Sequence, residues 1–224
     1  MNRSPKIEIP FCQLLTEHSF GASAERQMVG LAQLGLRYFG SFLSVGEQDS
    51  VMKTAAAAPW ESLGRRQVSQ YGFQYSIGDK QLTPSVNGEL PGWSAFILDK
   101  ARPLEGAIAR TNQLIINKYS PGEGISPHID RPDLFGERIY IISLGSPIVM
   151  NFKATDGSKS RFSILLEPGS LAILEGELRY KWKHSIDRRH IDNIAGVSLK
   201  REERISLTFR EALPAACSNL QTLC

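Results

Sequence analysis

His128-Ile129-Asp130, followed by His184, Arg204 and Arg210, are the residues of this chain whose types and spacing carry chemistry. Two imidazoles and one carboxylate, with no cysteine beside them, suit non-haem Fe(II). They fill one face of the metal and leave positions for oxygen and a co-substrate. His128 and Asp130 are two apart, so on an extended segment both project to one side. An isolated His-x-Asp is also common in surface turns. His190, in a basic run, competes with His184 as third ligand. His184 is preferred because it ends the strand-like, aromatic stretch Arg179-Tyr180-Lys181-Trp182-Lys183. His18 has no partner pattern and is expected to be structural.

The downstream arginines pose a geometric question. Side chains alternate along a strand, so Arg204, Ser206, Thr208 and Arg210 share one face, and Ile205, Leu207 and Phe209 the other. If the apolar face packs on an outer layer, the polar face points inward, where two guanidiniums are costly to bury without anions. An acidic co-substrate would neutralise one of them, since guanidinium matches carboxylate bidentately. The alternative is an edge strand with both arginines in solvent.

The elements that must position these residues are mostly β. Leu114–Tyr119, Ile139–Ser143, Ile148–Phe152, Phe162–Leu166, Ser170–Leu174 and Ile205–Phe209 read as short strands. Leu144-Gly145-Ser146-Pro147 and Glu167-Pro168-Gly169 serve as turns. The turn-rich Pro121–Pro127 segment would deliver His128 and Asp130 at a barrel mouth. Upstream, Leu31, Leu34, Tyr38 and Phe42 recur at helical spacing, which predicts an amphipathic helix over 28–43 despite Gly30, Gly35 and Gly40. The alanines at 55–58 stop at Pro59. Arg65–Asp79 suits a strand–turn flap, and a helix is expected after the Leu90–Trp93 turn. This pattern predicts an α+β chain: a double-stranded β-helix, or jelly-roll, behind a helical N-terminal layer.

Composition sets limits. At 224 residues, 42% hydrophobic and 22% charged, the chain fits one domain with a large core. The expected division is an N-terminal extension over 1–60, a lid and helix over 61–110, and the β core over 111–212. A charge of +3 permits nucleic-acid binding without demanding it. Cys12, Cys217 and Cys224 are too few and too scattered for a disulfide framework or a zinc site. No signal peptide or membrane span is evident. The expectation is a cytoplasmic protein (nuclear if eukaryotic), monomeric and not secreted.

Several spaced elements together carry a resemblance. They are Asn117-x-Tyr119-x-x-Gly122, His128-x-Asp130, the stretch from Gly169 through Gly176 and Arg179-Tyr180 to His184, and Arg204-x-Ser-Leu-Thr-Phe-Arg210. In order and spacing, the chain from about 65 to 210 resembles the AlkB-like family of Fe(II)/2-oxoglutarate dioxygenases. The first 60 residues follow it loosely.

The resemblance implies Fe(II) held by His128, Asp130 and His184, with 2-oxoglutarate as co-substrate and O2 as oxidant. Arg204 would pair with the distal carboxylate of 2-oxoglutarate, with Asn117, Tyr119 and Ser206 around it. Arg210 would lie near Asp130 and the near end of the co-substrate. Tyr71, Phe73 and Tyr75 fall in the nucleotide-recognition lid, where rings stack an extruded base; plain core packing is the alternative. Arg65, Arg66, Lys181, Lys183, Arg188 and Arg189 would hold phosphates or form a solvated face.

The implied activity is oxidative demethylation of N-alkylated bases in single-stranded DNA or RNA, as in DNA repair or RNA demethylation. Its products would be formaldehyde, succinate and CO2. One departure qualifies it: members acting on methyladenine or methylcytosine often carry an acidic residue two positions after the metal aspartate. Here that position is Pro132, with Asp133 one further. The flap-to-barrel stretch also resembles a domain that hydroxylates modified wobble uridine in transfer RNA, without the RNA-binding and methyltransferase domains found beside that one. Protein-side-chain oxidation and a non-catalytic module are further alternatives.

Overall fold

Alternating side chains in the second half of the chain close into two facing sheets. The computed structural model describes residues 7–8, 30–63, 66–75, 81–104, 108, 110–194 and 197–213. Expectations for Cys12, His18, Arg65, Cys217, Cys224 and residues 76–79 fall outside these.

In chain order the elements begin with β1 (Ile7–Glu8), β2 (Leu36–Phe39), α1 (Val45–Ala56), β3 (Glu61–Leu63), β4 (Arg66–Tyr71), β5 (Phe73–Gln74), β6 (Thr83–Pro84) and α2 (Ala95–Ala101). Next come β7 (Gln113–Tyr119), β8 (Ile125–His128), β9 (Phe135–Gly145), β10 (Ile148–Ala154), β11 (Arg161–Leu166) and β12 (Leu171–Leu174). The chain then runs through α3 (Gly176–Lys181), β13 (Trp182–Ile186), β14 (Ile191–Ile194), β15 (Val197–Lys200) and β16 (Arg204–Ala212).

A seven-stranded sheet runs β2-β12-β9-β16-β7-β4-β3, and a five-stranded sheet runs β1-β11-β10-β13-β8. The period-two pattern decides which side each residue buries. Ile139 and Ile141 of β9 and Ala172 and Leu174 of β12 face Ile148, Met150 and Phe152 of β10 and Phe162 and Ile164 of β11, forming the inter-sheet core. Tyr140, Ile142, Ile173, Ile205, Leu207 and Phe209 face the other way, against Val51 and Ala55 of α1 and Ile97 and Ala101 of α2. Each such aliphatic burial is worth roughly 1.5–3 kcal/mol. The result is a jelly-roll with helices covering the outside of its larger sheet.

The helix expected over 28–43 is corrected by the structure. Only 30–34 are helical among its described residues, and Leu36–Phe39 are the strand β2, paired with β12. Gly35 makes the break. Its φ is +103°, and a Cβ there would lie 2.0 Å from the Glu175 carbonyl oxygen. The principal helix of this region is instead α1, started by a capping box. Ser44 accepts from the Glu47 backbone N–H, and the Glu47 side chain accepts from the Ser44 backbone N–H.

The hairpin of β14 and β15 is fastened by a buried bidentate pair. Arg201 donates through Nε and Nη2 to Asp192, each at 2.7 Å, and through Nη1 to the carbonyls of Glu123 and Asp187. Asp192 also accepts the backbone N–H of Val149 on β10. Four hydrogen bonds thus leave Arg201 almost fully satisfied in a buried position.

Candidate active site

Two strands of the five-stranded sheet and the loop after one of them converge on the metal-ligand candidates. His128 closes β8 and stands directly opposite His184 of β13, their ring centroids 4.3 Å apart. Asp130 follows in the loop. The ligand atoms of His128, Asp130 and His184 lie within 4.8 Å of one another, the one such group with metal-binding capacity among the described residues. His190 is exposed in the loop before β14, its ring against Gly122, and stands outside the group. Close approach of β8 to β13 needs Gly124, where a Cβ would sit 2.2 Å from the Ile186 carbonyl oxygen.

A different influence acts on each ligand. Nδ1 of His128 lies 2.8 Å from the Ser126 carbonyl oxygen. A carbonyl only accepts, so Nδ1 donates to it, and Nε2 is the nitrogen turned toward Asp130, 3.5 Å from its Oδ1. Burial pushes the His184 imidazole down to about 3, with His128 adding to the effect, so it is neutral near pH 7. Burial would raise the Asp130 carboxyl, yet the Arg210 guanidinium beside it is the foremost of the effects that outweigh burial and hold the group well below the usual carboxylate range. Two neutral imidazoles and an ionised carboxylate are the donors that Fe(II) requires.

Arg179 holds the carboxylate loop. It is 2% exposed and donates to three backbone carbonyls of one segment, those of Asp130, Phe135 and Gly136. No carboxylate partners it among the described residues; its fork is spent on fixing the peptide that carries Asp130. In the sequence, Arg179 stands only as one position of the longer Gly169–His184 motif. It sits on the six-residue α3, too short to reveal a buried face.

The arginine pair lies on the opposite wall. β16 is central in the seven-stranded sheet, between β9 and β7, so the edge-strand alternative does not hold. Arg204 and Arg210 are each 1% exposed. Arg210 donates from Nε to Gln113 Oε1 at 2.8 Å, stacks over Phe135 at 3.8 Å, and reaches to within 3.5 Å of Asp130 Oδ1. Arg204 donates from Nη2 to Ser143 Oγ at 2.8 Å and lies over the Tyr119 ring. Its Nε and Nη1 are buried without a partner. Burial draws its pKa down to about 10.

An unpaired buried guanidinium is expensive, and a carboxylate that accepts two of its N–H groups removes that cost. Neighbours suit the same ligand. Tyr119 faces Arg204 and Asn117 faces Ser206 across β7 and β16, and all four line one pocket with the metal-ligand group. Asn117 Oδ1 accepts from Arg66 Nε at 2.9 Å, which leaves the amide N–H groups of Asn117 to donate. The residues present therefore fit an acidic co-substrate such as 2-oxoglutarate, which Arg204 would anchor.

Of the four substrate residues expected from sequence, Tyr75 lines this pocket, edge-on to Phe135. Tyr71 packs on the outer cluster beneath the helices, and Phe73 packs against the inter-sheet core. Asp133 is exposed and ion-paired with Arg131. None of these three is a pocket residue. The expected phosphate residues divide as well: Arg66 lines the pocket, Lys181 pairs with Glu177, and Arg189 pairs with Asp187.

Comparison with known proteins agrees with this chemistry. Residues 35–210 match the model of the 2OG-Fe(II) oxygenase superfamily. An ALKBH8 homolog of Arabidopsis thaliana, named an alkylated DNA repair protein, is 30% identical over 82% of this chain and 60% of its own length. The tRNA (carboxymethyluridine(34)-5-O)-methyltransferase alkbh8 of Xenopus tropicalis is 32% identical over 84% of this chain. The chain spans 60% of the first and 34% of the second. A probable RNA/DNA demethylase ALKBH6 of Danio rerio is 27% identical, with 88% of this chain and 93% of that protein covered. Among solved structures, OsALKBH1 shares the fold at a TM-score of 0.59 and 17% identity, covering 79% of this chain and 97% of its own.

Proposed function

Because the chain belongs to the AlkB-like group of the 2OG-Fe(II) oxygenase superfamily, we propose that it oxidises a nucleoside within RNA, hydroxylating carbon on a modified uridine. It is an Fe(II)/2-oxoglutarate-dependent dioxygenase. The observation that carries the finer assignment is Asp133, which is exposed, engaged with Arg131 and absent from the pocket. Among the described residues Asp130 is the one carboxylate lining the pocket, and it belongs to the metal group. Adenine and cytosine present an exocyclic amino donor that wants such an acceptor, whereas uridine presents carbonyl acceptors. The donors of Arg66 at the same pocket suit the latter. Relatives named for carboxymethyluridine in transfer RNA support this direction.

A metal held there together with 2-oxoglutarate would supply O2 activation, with decarboxylation to succinate. The protein's own part is positioning. Arg204, Asn117, Tyr119 and Ser206 would hold the co-substrate. His128, Asp130 and His184 would hold the metal, with Arg210 as a fixed positive charge beside Asp130. Tyr75 would bound the entering base, a stacking contact worth about 1–3 kcal/mol.

The test is anaerobic loading with Fe(II) and 2-oxoglutarate, then oxygen, with two substrate sets: transfer RNA bearing modified uridine, and oligonucleotides bearing methylated adenine or cytosine. The expected result is succinate stimulated by the transfer RNA, with one oxygen atom gained and no formaldehyde. Formaldehyde released with the methylated oligonucleotides would replace hydroxylation with N-demethylation. Tyr75→Ala should raise the nucleic-acid KM about 5- to 150-fold on this stacking range, with the KM for 2-oxoglutarate unchanged.

A further inference from the structure

The face of the five-stranded sheet that points away from the metal site carries charge that the fold does not explain. Lys153 of β10 stands directly opposite Arg161 of β11 and directly opposite Lys183 of β13. Three exposed cations therefore form one row across three neighbouring strands, and none has an ion-pair partner among the described residues. Like charges directly opposite on a sheet are destabilising. They bury nothing in return.

The next row along the same face is polar. Asn151 stands opposite both Ser163 and Ser185, and Ser163 Oγ donates to Asn151 Oδ1 at 2.7 Å. Lys153 and Arg161 of the first row and Asn151, Ser163 and Ser185 of the second line a groove of about 400 Å³ beside the β14–β15 hairpin, with Lys183 at the end of its row outside the groove. Its carboxylate, Asp187, is already taken by Arg189.

We infer that this groove is a second docking surface, for the phosphate backbone of a folded nucleic acid whose target nucleoside enters the pocket on the other face. Strands lie about 4.8 Å apart, so the row spans roughly 10 Å, wide enough for it to follow a stretch of phosphate backbone. Cations flanked by hydroxyl and amide groups match phosphate and sugar, which take most protein–nucleic-acid hydrogen bonds. A membrane surface would call for exposed apolar side chains; the row has none, and Val149, Phe152, Phe162 and Ile194, which also line the groove, are buried. Ser185 of the groove and His184 of the metal group are consecutive on β13, so groove and metal site lie back to back across one sheet. A short single strand in the pocket cannot reach round the β8 edge; a folded RNA can. The inference rests on the nucleic-acid reading above.

The test is fluorescence anisotropy of the full chain with a folded transfer-RNA transcript and with a trinucleotide, across a salt series. The triple variant Lys153→Gln, Arg161→Gln, Lys183→Gln should weaken transfer-RNA binding at least tenfold and reduce the salt slope by about 2–3, roughly one per lost phosphate contact. Trinucleotide binding should stay within twofold. Lys53→Gln, on α1 behind the other sheet, should also stay within twofold. Unchanged affinity for Fe(II) and 2-oxoglutarate, read anaerobically from the charge-transfer absorption, shows the variant to be folded. Transfer RNA that binds wild type and triple variant with equal affinity and slope overturns the docking surface and leaves the oxygenase reading standing. No binding of either nucleic acid by wild type overturns both. Binding of polyglutamate or anionic vesicles through this row, in place of RNA, overturns the choice of partner.

Discussion

The two walls of the site are built on different terms. Arg204 and Arg210 rise from β16, the middle strand of the larger sheet, hydrogen-bonded along both sides and 1% exposed. His128 and Asp130 come from β8, which ends the smaller sheet, and from the loop after it. The anion-binding wall is therefore fixed by the core before any ligand arrives. The metal-binding wall depends on local devices: Ser126 for the His128 tautomer, Gly124 for the approach to β13, and Arg179 for the Asp130 loop. Rigidity comes from sheet position on one side and from individual hydrogen bonds on the other.

The largest expected effect tests the metal wall. His184→Ala or Asp130→Ala should abolish iron retention, measured by metal analysis, and turnover with it. A variant that keeps full activity removes that residue from the ligand set.

Arg204→Ala should raise the KM for 2-oxoglutarate about 30- to 1,000-fold, as expected when a buried charge pair worth 2–4 kcal/mol is lost. Iron content should hold. The comparison sharpens in the melting temperature without co-substrate, which should not fall, because the change removes an uncompensated buried charge. A fall of many degrees would make Arg204 part of the core's support rather than an anion site.

A smaller effect is expected at Arg179. A lysine ammonium in its place would be a point charge, unable to serve three carbonyls. Arg179→Lys should therefore weaken Fe(II) affinity about 10- to 100-fold, the usual range for outer hydrogen-bond partners, with the KM for 2-oxoglutarate unchanged. Equal losses in both affinities would show that the two walls are not independent. His190→Ala should move every parameter by less than twofold, and an inactive protein there would shift the third-ligand role from His184.

How far these walls were legible depends on periodicity. The arginine wall was, because period-two alternation over Arg204–Arg210 states both which residues share a face and what the other face buries. The metal group was legible from ligand types and from the two-residue spacing of His128 and Asp130. Strands expected at 114–119, 148–152 and 162–166 are observed at Gln113–Tyr119, Ile148–Ala154 and Arg161–Leu166.

Before residue 60 the signals conflict. Leu31, Leu34, Tyr38 and Phe42 keep helical spacing, yet Gly35 and pairing with β12 make Leu36–Phe39 a strand, a tertiary contact overriding local pattern. In α1 only Val51 and Ala55 are buried, too few to show a stripe. Tyr71 and Phe73 could not be separated from Tyr75 by sequence, since all three are aromatics in one short stretch and only the fold decides which points at the pocket.

The position of β8 at the end of its sheet has a further consequence. Edge strands fray first, and an exposed edge offers unpaired backbone groups to any other extended chain. A metal bridging His128 and Asp130 to His184 would rivet this edge to its neighbour. Iron loss would then be a local unfolding event as well as a loss of chemistry. Amide exchange over 125–130 should accelerate in the apo protein while the amides of β16 stay protected. The same edge, once released, is where proteases and self-association would begin, so the lifetime of the protein would track its iron.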